Sequence, residues 1–437
     1  MHVEFKHIAH ILTFVCLLTL VYNGTNAQNH HATKEKINKI AQDTLTTVIQ
    51  KSTDSAQINR VFGGQVPMAF NDPELPRFSL FGKEGKYYLG MGGYVKTSLA
   101  YDFDGAINDP INFVVSKIPV PSKPSNNKQV HFSAVTSNFF VNFVRFHGEN
   151  RFSAYLNGNF TGPKNTFLIR YAYVTFNKWR AGFDISLFTD VDASVPTIDF
   201  QGPNAFTFTR NTTIAFRHSF NTHWSVGAAT EMPIFNATYS SLTEETYQNL
   251  PSIPAYIKLS WDEQKSWVRL AGIIRSLKYR NNTDNEEKRI QGWGVQLSGK
   301  LSMIRKRVSL FYQGAGGSGF SRYLQDLSGL GLDFIPDPDS PGQLHAVDAF
   351  GGYAGLQYNF SEKNLVSCTY SQVRASLPAG TQMDDQYLYG QYLVANYFWN
   401  TRATIQLGIE YVYGRRVNRN GESNHANRVQ ASVQYNF

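Results

Sequence analysis

The chain has 437 residues, a formal net charge of +8, only 17% charged residues and 14% aromatics, with 24 Tyr and 32 Phe. That charged fraction is below the roughly 25% of soluble domains, yet the mean hydropathy of −0.32 is too low for a bundle of membrane helices. No Lys/Arg-rich run or basic helix accompanies the positive charge, which excludes nucleic acid as a partner.

Residues 1–27 read as an export signal. Lys6 precedes the apolar stretch "IAHILTFVCLLTLVY", and "NGTNAQ" sets Thr25 and Ala27 before a cut at Gln28. The apolar stretch is shorter than the about 20 residues a spanning helix needs. Cys16 lacks the small residues that precede a lipidated cysteine, and its removal leaves Cys368 with no disulfide partner.

Residues 28–60 form a separate periplasmic segment without aromatics. Ile37, Ile40, Ala41, Thr44, Leu45, Val48 and Ile49 recur at helical spacing, which suits a short self-associating helix or coiled coil. The many Thr and Ser residues suit an irregular linker equally well. A linker rich in Gly and Pro follows over 61–85.

From residue 86 to 437 the period is two. The expected strands are 87–101, 130–146, 150–160, 165–177, 179–188, 206–219, 223–232, 253–261, 266–276, 288–301, 306–314, 347–360, 364–373, 386–398, 400–413 and 426–437, sixteen in all. Every second connection is tight, for example "HGE", "NK" and "WNT". The intervening ones are longer, over 102–129, 189–205, 233–252, 277–287, 315–346, 374–385 and 414–425, with "TGPKN" the short exception. A soluble sandwich has no reason to sort its loops this way, whereas an antiparallel barrel with periplasmic turns and extracellular loops does. The final stretch "VQASVQYNF" alternates apolar and polar residues up to a bare Phe437, as a closing strand between lipid and lumen would. The expected fold is all-β: a 16-stranded antiparallel transmembrane β-barrel in the outer membrane, in contact with its lipid and lipopolysaccharide.

If the apolar phase faces lipid, the other phase lines the lumen. In "RFSAYLNGNF", Arg151, Ser153, Tyr155 and Asn157 then point in. In "FLIRYAYV", Arg170 points in while Ile169, Tyr171 and Tyr173 point out. Arg217, Lys96, Arg180, Lys258, Arg269, Arg275, Arg402 and Arg428 also turn inward, against three acids, Asp184, Glu231 and Glu410. A confined lumen focuses such an excess and favours anions. The competing reading is that these bases pair with loop acids and brace the wall. The loop "FTDVDASVPTIDFQGPNAFTFTR" carries apolar Val195, Ile198 and Phe200 and is expected to fold into the lumen and narrow it. "GLDFIPDPDSPG" lacks the spacing of calcium loops and reads as a turn-rich external loop. No cofactor or metal is expected.

Several segments resemble the DcaP-type trimeric porins: "GGYVKTSLAYDFD", "LNGNFTGPKNTFLIRYAYV", "AGFDISLFTDVDASVPTIDFQGP" and the closing "YVYGRRVNRNGESNHANRVQASVQYNF". Tyr171 stands where that family's pattern has His, and Asn157 and Asn159 stand where acids are commoner. The resemblance implies a sixteen-stranded homotrimer that passes small, mostly anionic solutes such as dicarboxylates, with Arg170 as a pore-lining residue. A structural or adhesion barrel without an open pore is the alternative. An enzyme is not expected, because His147, His218, His223, His345 and His425 lack a flanking nucleophile motif such as G-x-S-x-G. The segment before the barrel is too short for the plug of an energy-coupled receptor.

Overall fold

The computed structural model describes residues 45–50, 55–63, 70, 72, 75–82, 86–122, 127–304, 306–402 and 404–437. The expected signal, most of the periplasmic segment and much of the linker lie outside the described residues.

Sixteen antiparallel strands close on themselves: β1 Tyr87–Asp104, β2 Asn138–His147, β3 Asn150–Asn159, β4 Leu168–Phe176, β5 Trp179–Ile185, β6 Arg210–Ser219, β7 Trp224–Glu231, β8 Ile253–Trp261, β9 Ser266–Asn281, β10 Glu286–Met303, β11 Val308–Ser318, β12 Asp348–Asn359, β13 Asn364–Ser376, β14 Tyr387–Arg402, β15 Ile405–Asn418 and β16 Ser423–Asn436. Each pairs with its sequence neighbour, and β16 returns to β1 with Ser432 opposite Ser98. No strand of the ring is left as an edge.

The two phases of each strand carry opposite chemistry. On β16, Gln430, Ser432 and Gln434 are buried inside while Val433 and Tyr435 are exposed outside; β1 likewise buries Lys96, Ser98 and Asp102 and exposes Val95, Leu99 and Phe103. In water an exposed apolar phase on this scale would drive aggregation, but against lipid it is the stable arrangement. Trp179, Phe220, Trp224, Trp261, Phe360 and Trp399 are exposed beside the tight turns and form the aromatic belt expected at a membrane interface.

Three of the expected elements differ in detail. The stretch 130–146 is two strands: Gln129–Ser133 pairs with the upper part of β1, and β2 pairs with its lower part. The expected long loops 277–287 and 414–425 are mostly strand, because the β9–β10 and β15–β16 ladders continue to Asn281 opposite Glu286 and Val417 opposite Ser423. Leu277 and Tyr279 are buried on that extension, so the hairpin keeps an inner face beyond the expected strand end.

Three long connections fold inward over the lumen. Residues 105–120 pack Ile107, Phe113, Val115 and Ile118 on Tyr392, Val394 and Val412. Residues 186–209 cross the barrel, as expected from their apolar content, and bury Val195 and Ile198. Residues 319–347 bury Phe320, Tyr323, Leu324, Leu327, Leu332 and Ile335. The expected external loop at 331–342 therefore has a buried apolar half, with Phe334 also sealed inside.

The chain ahead of β1 also enters the barrel. A helix, α1 (Ser55–Phe62), packs Ile58, Val61 and Phe62 on the inward Tyr88 and Val144. Gly90 on β1 leaves the room: a Cβ there would lie 2.7 Å from Pro76 and 2.9 Å from Phe62. Phe70 packs on Phe398, with ring centroids 4.8 Å apart. Residues Phe78–Gly82 then form a short strand between β1 and a strand at Leu45–Gln50. The described end of the helically spaced stretch is thus extended, in keeping with its β-branched run Thr46–Ile49.

Candidate functional site

The inner wall over β3–β6 concentrates the unneutralised charge. Arg151, Arg180 and Arg217 sit near the tight-turn end, and Arg170 and Arg210 sit higher. Arg180 Nη1 bonds Asp184 Oδ2 at 2.8 Å, and Arg217 Nη2 approaches the same oxygen at 3.7 Å. Arg170 Nη1 lies 3.3 Å from Asp72 Oδ1, while Arg151 Nη2 donates to the Val61 carbonyl at 2.9 Å. Five guanidinium groups on this wall thus face two acidic side chains, Asp72 and Asp184. The side chain of Arg217 is 29% exposed, and it is among the cations in reach of a diffusing solute.

Aromatic rings hold these cations in place. Tyr155 stacks on Tyr173 at 5.3 Å and on Phe140 at 5.7 Å. Arg180 lies 4.3 Å from the Tyr173 ring centre, and Arg170 and Arg210 lie 5.5 and 5.2 Å from that of Tyr171. Each ring face attracts a cation, so the tyrosines keep the arginines extended along the wall.

This arrangement corrects the expected phase of β4. Asn157 pairs with Tyr171 but Gly158 pairs with Ile169, so Arg170 is an extra residue in a β-bulge. The bulge turns Arg170 and Tyr171 to the same side and shifts the phase beyond it. Tyr171 and Tyr173 therefore face the lumen, 2% and 4% exposed, instead of lipid. Strict alternation carries no signal for such an insertion.

The other expected site residues are inward but committed to the protein. Lys96 Nζ donates to the Ile198 carbonyl at 3.3 Å, next to the tip of the crossing loop. Arg269 donates to the carbonyls of Leu187 and Phe188, holding the start of that loop. Arg428 grips Asp102, and Arg275 pairs with Asp333 at 3.0 Å. The side chain of Arg402 lies outside the described residues. Lys258 pairs with Asp192 at 3.3 Å and is part-exposed.

Two inward acids are loop clamps. Glu410 accepts the Ile198 and Asp199 N–H groups at 2.8 and 2.9 Å, together with Asn396 and Gln430. Glu231 accepts the Leu187 N–H at 2.8 Å and the Ser186 hydroxyl at 2.9 Å. The crossing loop is fixed at its root and its tip, which sets it across the lumen from the arginine wall. Sequence phase missed two of the cations near this wall. Arg210 enters β6 out of the inward phase and curls over Tyr171, and Arg322 comes from a long connection to reach Thr209 at 3.2 Å.

Comparisons with known proteins bear on the family and the barrel fold. The family model described as "DcaP outer membrane protein" matches residues 18–437. The outer membrane channel DcaP of Acinetobacter baumannii superposes with a TM-score of 0.70 at 19% identity, over 81% of this chain and 99% of that one. The anion-selective porin from Comamonas acidovorans gives 0.53 at 10%, over 80% and 100%. A trimer form of OmpT from Vibrio cholerae gives 0.50 at 11%, over 80% and 100%. Comparison with curated protein sequences gives no match. At these identities the structural likenesses concern the fold.

Proposed function

The chain belongs to the DcaP outer membrane protein family, and from that membership we propose that it is a passive channel selective for small organic anions, dicarboxylates among them. Its family and barrel place it in the outer membrane of a Gram-negative cell, in a family of channels. The observation that carries the selectivity is the β3–β6 wall, where Arg151, Arg170, Arg180, Arg210 and Arg217 outnumber Asp72 and Asp184. In a lumen narrowed by the crossing loop, an uncompensated positive wall lowers the barrier for anions and raises it for cations. The porin from Comamonas acidovorans, with the same fold, is described as anion-selective.

The same reading makes residues 1–27 an export signal, 28–60 a periplasmic segment whose end, from Ser55 on, enters the barrel with α1, and 61–85 a linker partly taken inside. It also makes the working unit a homotrimer in contact with outer-membrane lipid and lipopolysaccharide, in line with the trimer form of OmpT. A second reading has its own support. Because α1, Phe70 and Asp72 pack inside the barrel, the lumen is filled enough for a structural barrel without an open path. Liposome swelling with purified protein separates the two. The channel reading expects swelling in succinate to exceed swelling in a neutral sugar of similar size, and no swelling in either would leave the structural barrel.

A further inference from the structure

The outer face of the barrel carries two cations where the apolar phase should face lipid. On β13, Arg374 stands two residues before the strand ends and is exposed on the outward phase, in line with Tyr370 and Gln372. On β15, Arg415 is likewise exposed and outward, in line with Ile409 and Tyr411. Both lie at the long-connection end of the barrel. The Arg374 guanidinium has no hydrogen bond or ion pair among the described residues, and Asp348, the outward acid at the start of β12, does not pair with it. Arg415 has only the Ser423 hydroxyl, 3.4 Å from Nη2.

A cleft opens beside them. One rung of the sheet runs through Leu297, Gly314, Gly352, Gln372, Gln391 and Arg415, each opposite the next. The adjoining rung, nearer the long connections, runs through Val295, Gly316, Phe350 and Arg374. The glycines remove the side chains between the exposed Val295 and Leu297 on one side and the exposed Phe350 on the other. A Cβ at Gly314 would meet nothing within 4 Å. The result is a cleft of about 290 Å³ with a glycine floor, the Phe350 ring as its apolar wall, and Gln372 and Arg374 at its rim. Gln391 donates to Gln372 at 3.3 Å and to the Tyr370 hydroxyl at 3.0 Å, so the amides are engaged with the protein. The two guanidinium groups are the open donors, two strands apart and about 10 Å from each other across the sheet.

A cation held against hydrocarbon is costly unless an anion meets it, and an apolar cleft in a bilayer takes up an acyl chain. The occupant must therefore carry both. Long connections face outward in a barrel of this kind. That leaflet of a Gram-negative outer membrane is built of lipopolysaccharide, whose lipid A joins several acyl chains to two phosphates. We propose that this face is a lipid A site: an acyl chain lies along Gly314, Gly316 and Gly352 against Phe350, and Arg374 and Arg415 donate to the phosphates. Guanidinium groups match phosphate oxygens through paired N–H bonds, and basic pockets on a membrane-facing wall are a general form of headgroup recognition. The proposal rests on the reading that the barrel contacts lipopolysaccharide and gives that contact a place. It is independent of the solute carried, because the cleft and both arginines lie on the outer face, away from the lumen.

The test uses the full-length protein in detergent, titrated with bisphosphorylated lipid A, monophosphorylated lipid A or phosphatidylglycerol and read by native mass spectrometry. The forms compared are wild type, Arg374→Gln/Arg415→Gln, Arg374→Lys/Arg415→Lys and Gly314→Leu. Wild type should bind bisphosphorylated lipid A about tenfold more tightly than either other lipid. The glutamine variant should lose that preference, and the lysine variant should keep most of it. Gly314→Leu should fill the cleft and weaken all three lipids about tenfold. Equal binding of bisphosphorylated lipid A by wild type and the glutamine variant would remove this site while leaving lipopolysaccharide contact elsewhere on the barrel. Lipid A bound by no form would remove that contact reading as well. Unchanged binding in Gly314→Leu would take the acyl chain out of the cleft and overturn the assignment. Phosphatidylglycerol bound by wild type as tightly as lipid A would overturn it in favour of any anionic lipid, and loss of the oligomer in Gly314→Leu would overturn it in favour of a second copy of the chain.

Discussion

Arg428 on the last strand and Asp102 on the first stand directly opposite each other across the seam that closes the barrel. Two bonds join them, Nε to Oδ1 at 2.6 Å and Nη2 to Oδ2 at 3.0 Å. The same guanidinium also binds the carbonyls of Ile107 and Asp109, so one side chain ties the seam to the first inward loop. Arg428→Met leaves the buried Asp102 with only His131, 3.2 Å from its Oδ2, beside it, and the loss of the two-bond pair should cost about 3–5 kcal/mol. Urea unfolding of the folded barrel should register that loss, and the double variant Arg428→Met/Asp102→Leu should regain much of it. An unchanged midpoint in the single variant would mean that the pair does not clamp the seam.

Glu410 should control how widely the lumen opens. Its carboxylate holds two backbone N–H groups of the crossing loop, each such bond to a charged group being worth about 1.5–3 kcal/mol. Glu410→Ala should free the loop tip, raising single-channel conductance and current noise while the barrel stays folded. Conductance equal to wild type would show that the loop is held by its packing alone.

Tyr171 separates the observed phase of β4 from the alternating one. On a lipid face, Tyr171→Leu would be close to neutral. Inside, it removes the ring shared by Arg170 and Arg210, with about 0.5–2 kcal/mol at stake per cation. The substitution should lower both unfolding stability and anion preference. A variant unchanged in both would return Tyr171 to the lipid side.

Gly90 admits the segment that enters the barrel. In Gly90→Val the new Cβ would meet Pro76 and Phe62 at 2.7 and 2.9 Å, closer than real contacts allow. The strand itself accepts valine well, so the strain should fall on α1 and release it. Higher conductance with normal barrel assembly is the expected result. Normal conductance in that variant would indicate that α1 does not obstruct the path.

Much of the barrel was legible because a strand between lipid and water must alternate, and β16 shows it from Val429 to Tyr435. The crossing loop was legible for a related reason: Val195 and Ile198 in an external loop need somewhere to be buried. The Arg170 bulge was not, since one inserted residue leaves composition and spacing almost untouched. Arg210 was missed because it lies at a strand entrance, where the pleat no longer dictates direction, and Arg322 because it lies in a loop with no period at all. Asp72 was beyond reach of pattern altogether, its contact with Arg170 being a matter of tertiary docking. Alternation also could not say which inward bases are committed. Arg269 and Arg428 look like Arg217 by phase, yet only the fold supplies the carbonyls and the acid that engage them.

The central claim is that the β3–β6 wall selects anions, and zero-current potentials across a planar bilayer under a potassium chloride gradient test it most directly. Arg210 and Arg217 are the residues to reverse, because both are only part-buried and neither closes the seam. Arg210→Glu/Arg217→Glu removes two positive charges and adds two negative ones, and a barrier change of about 1.4 kcal/mol already alters relative permeability tenfold. The account predicts an anion-selective potential for wild type that moves clearly toward cation preference in the double variant. Cation preference in wild type, or a double variant with unchanged anion preference, would contradict it.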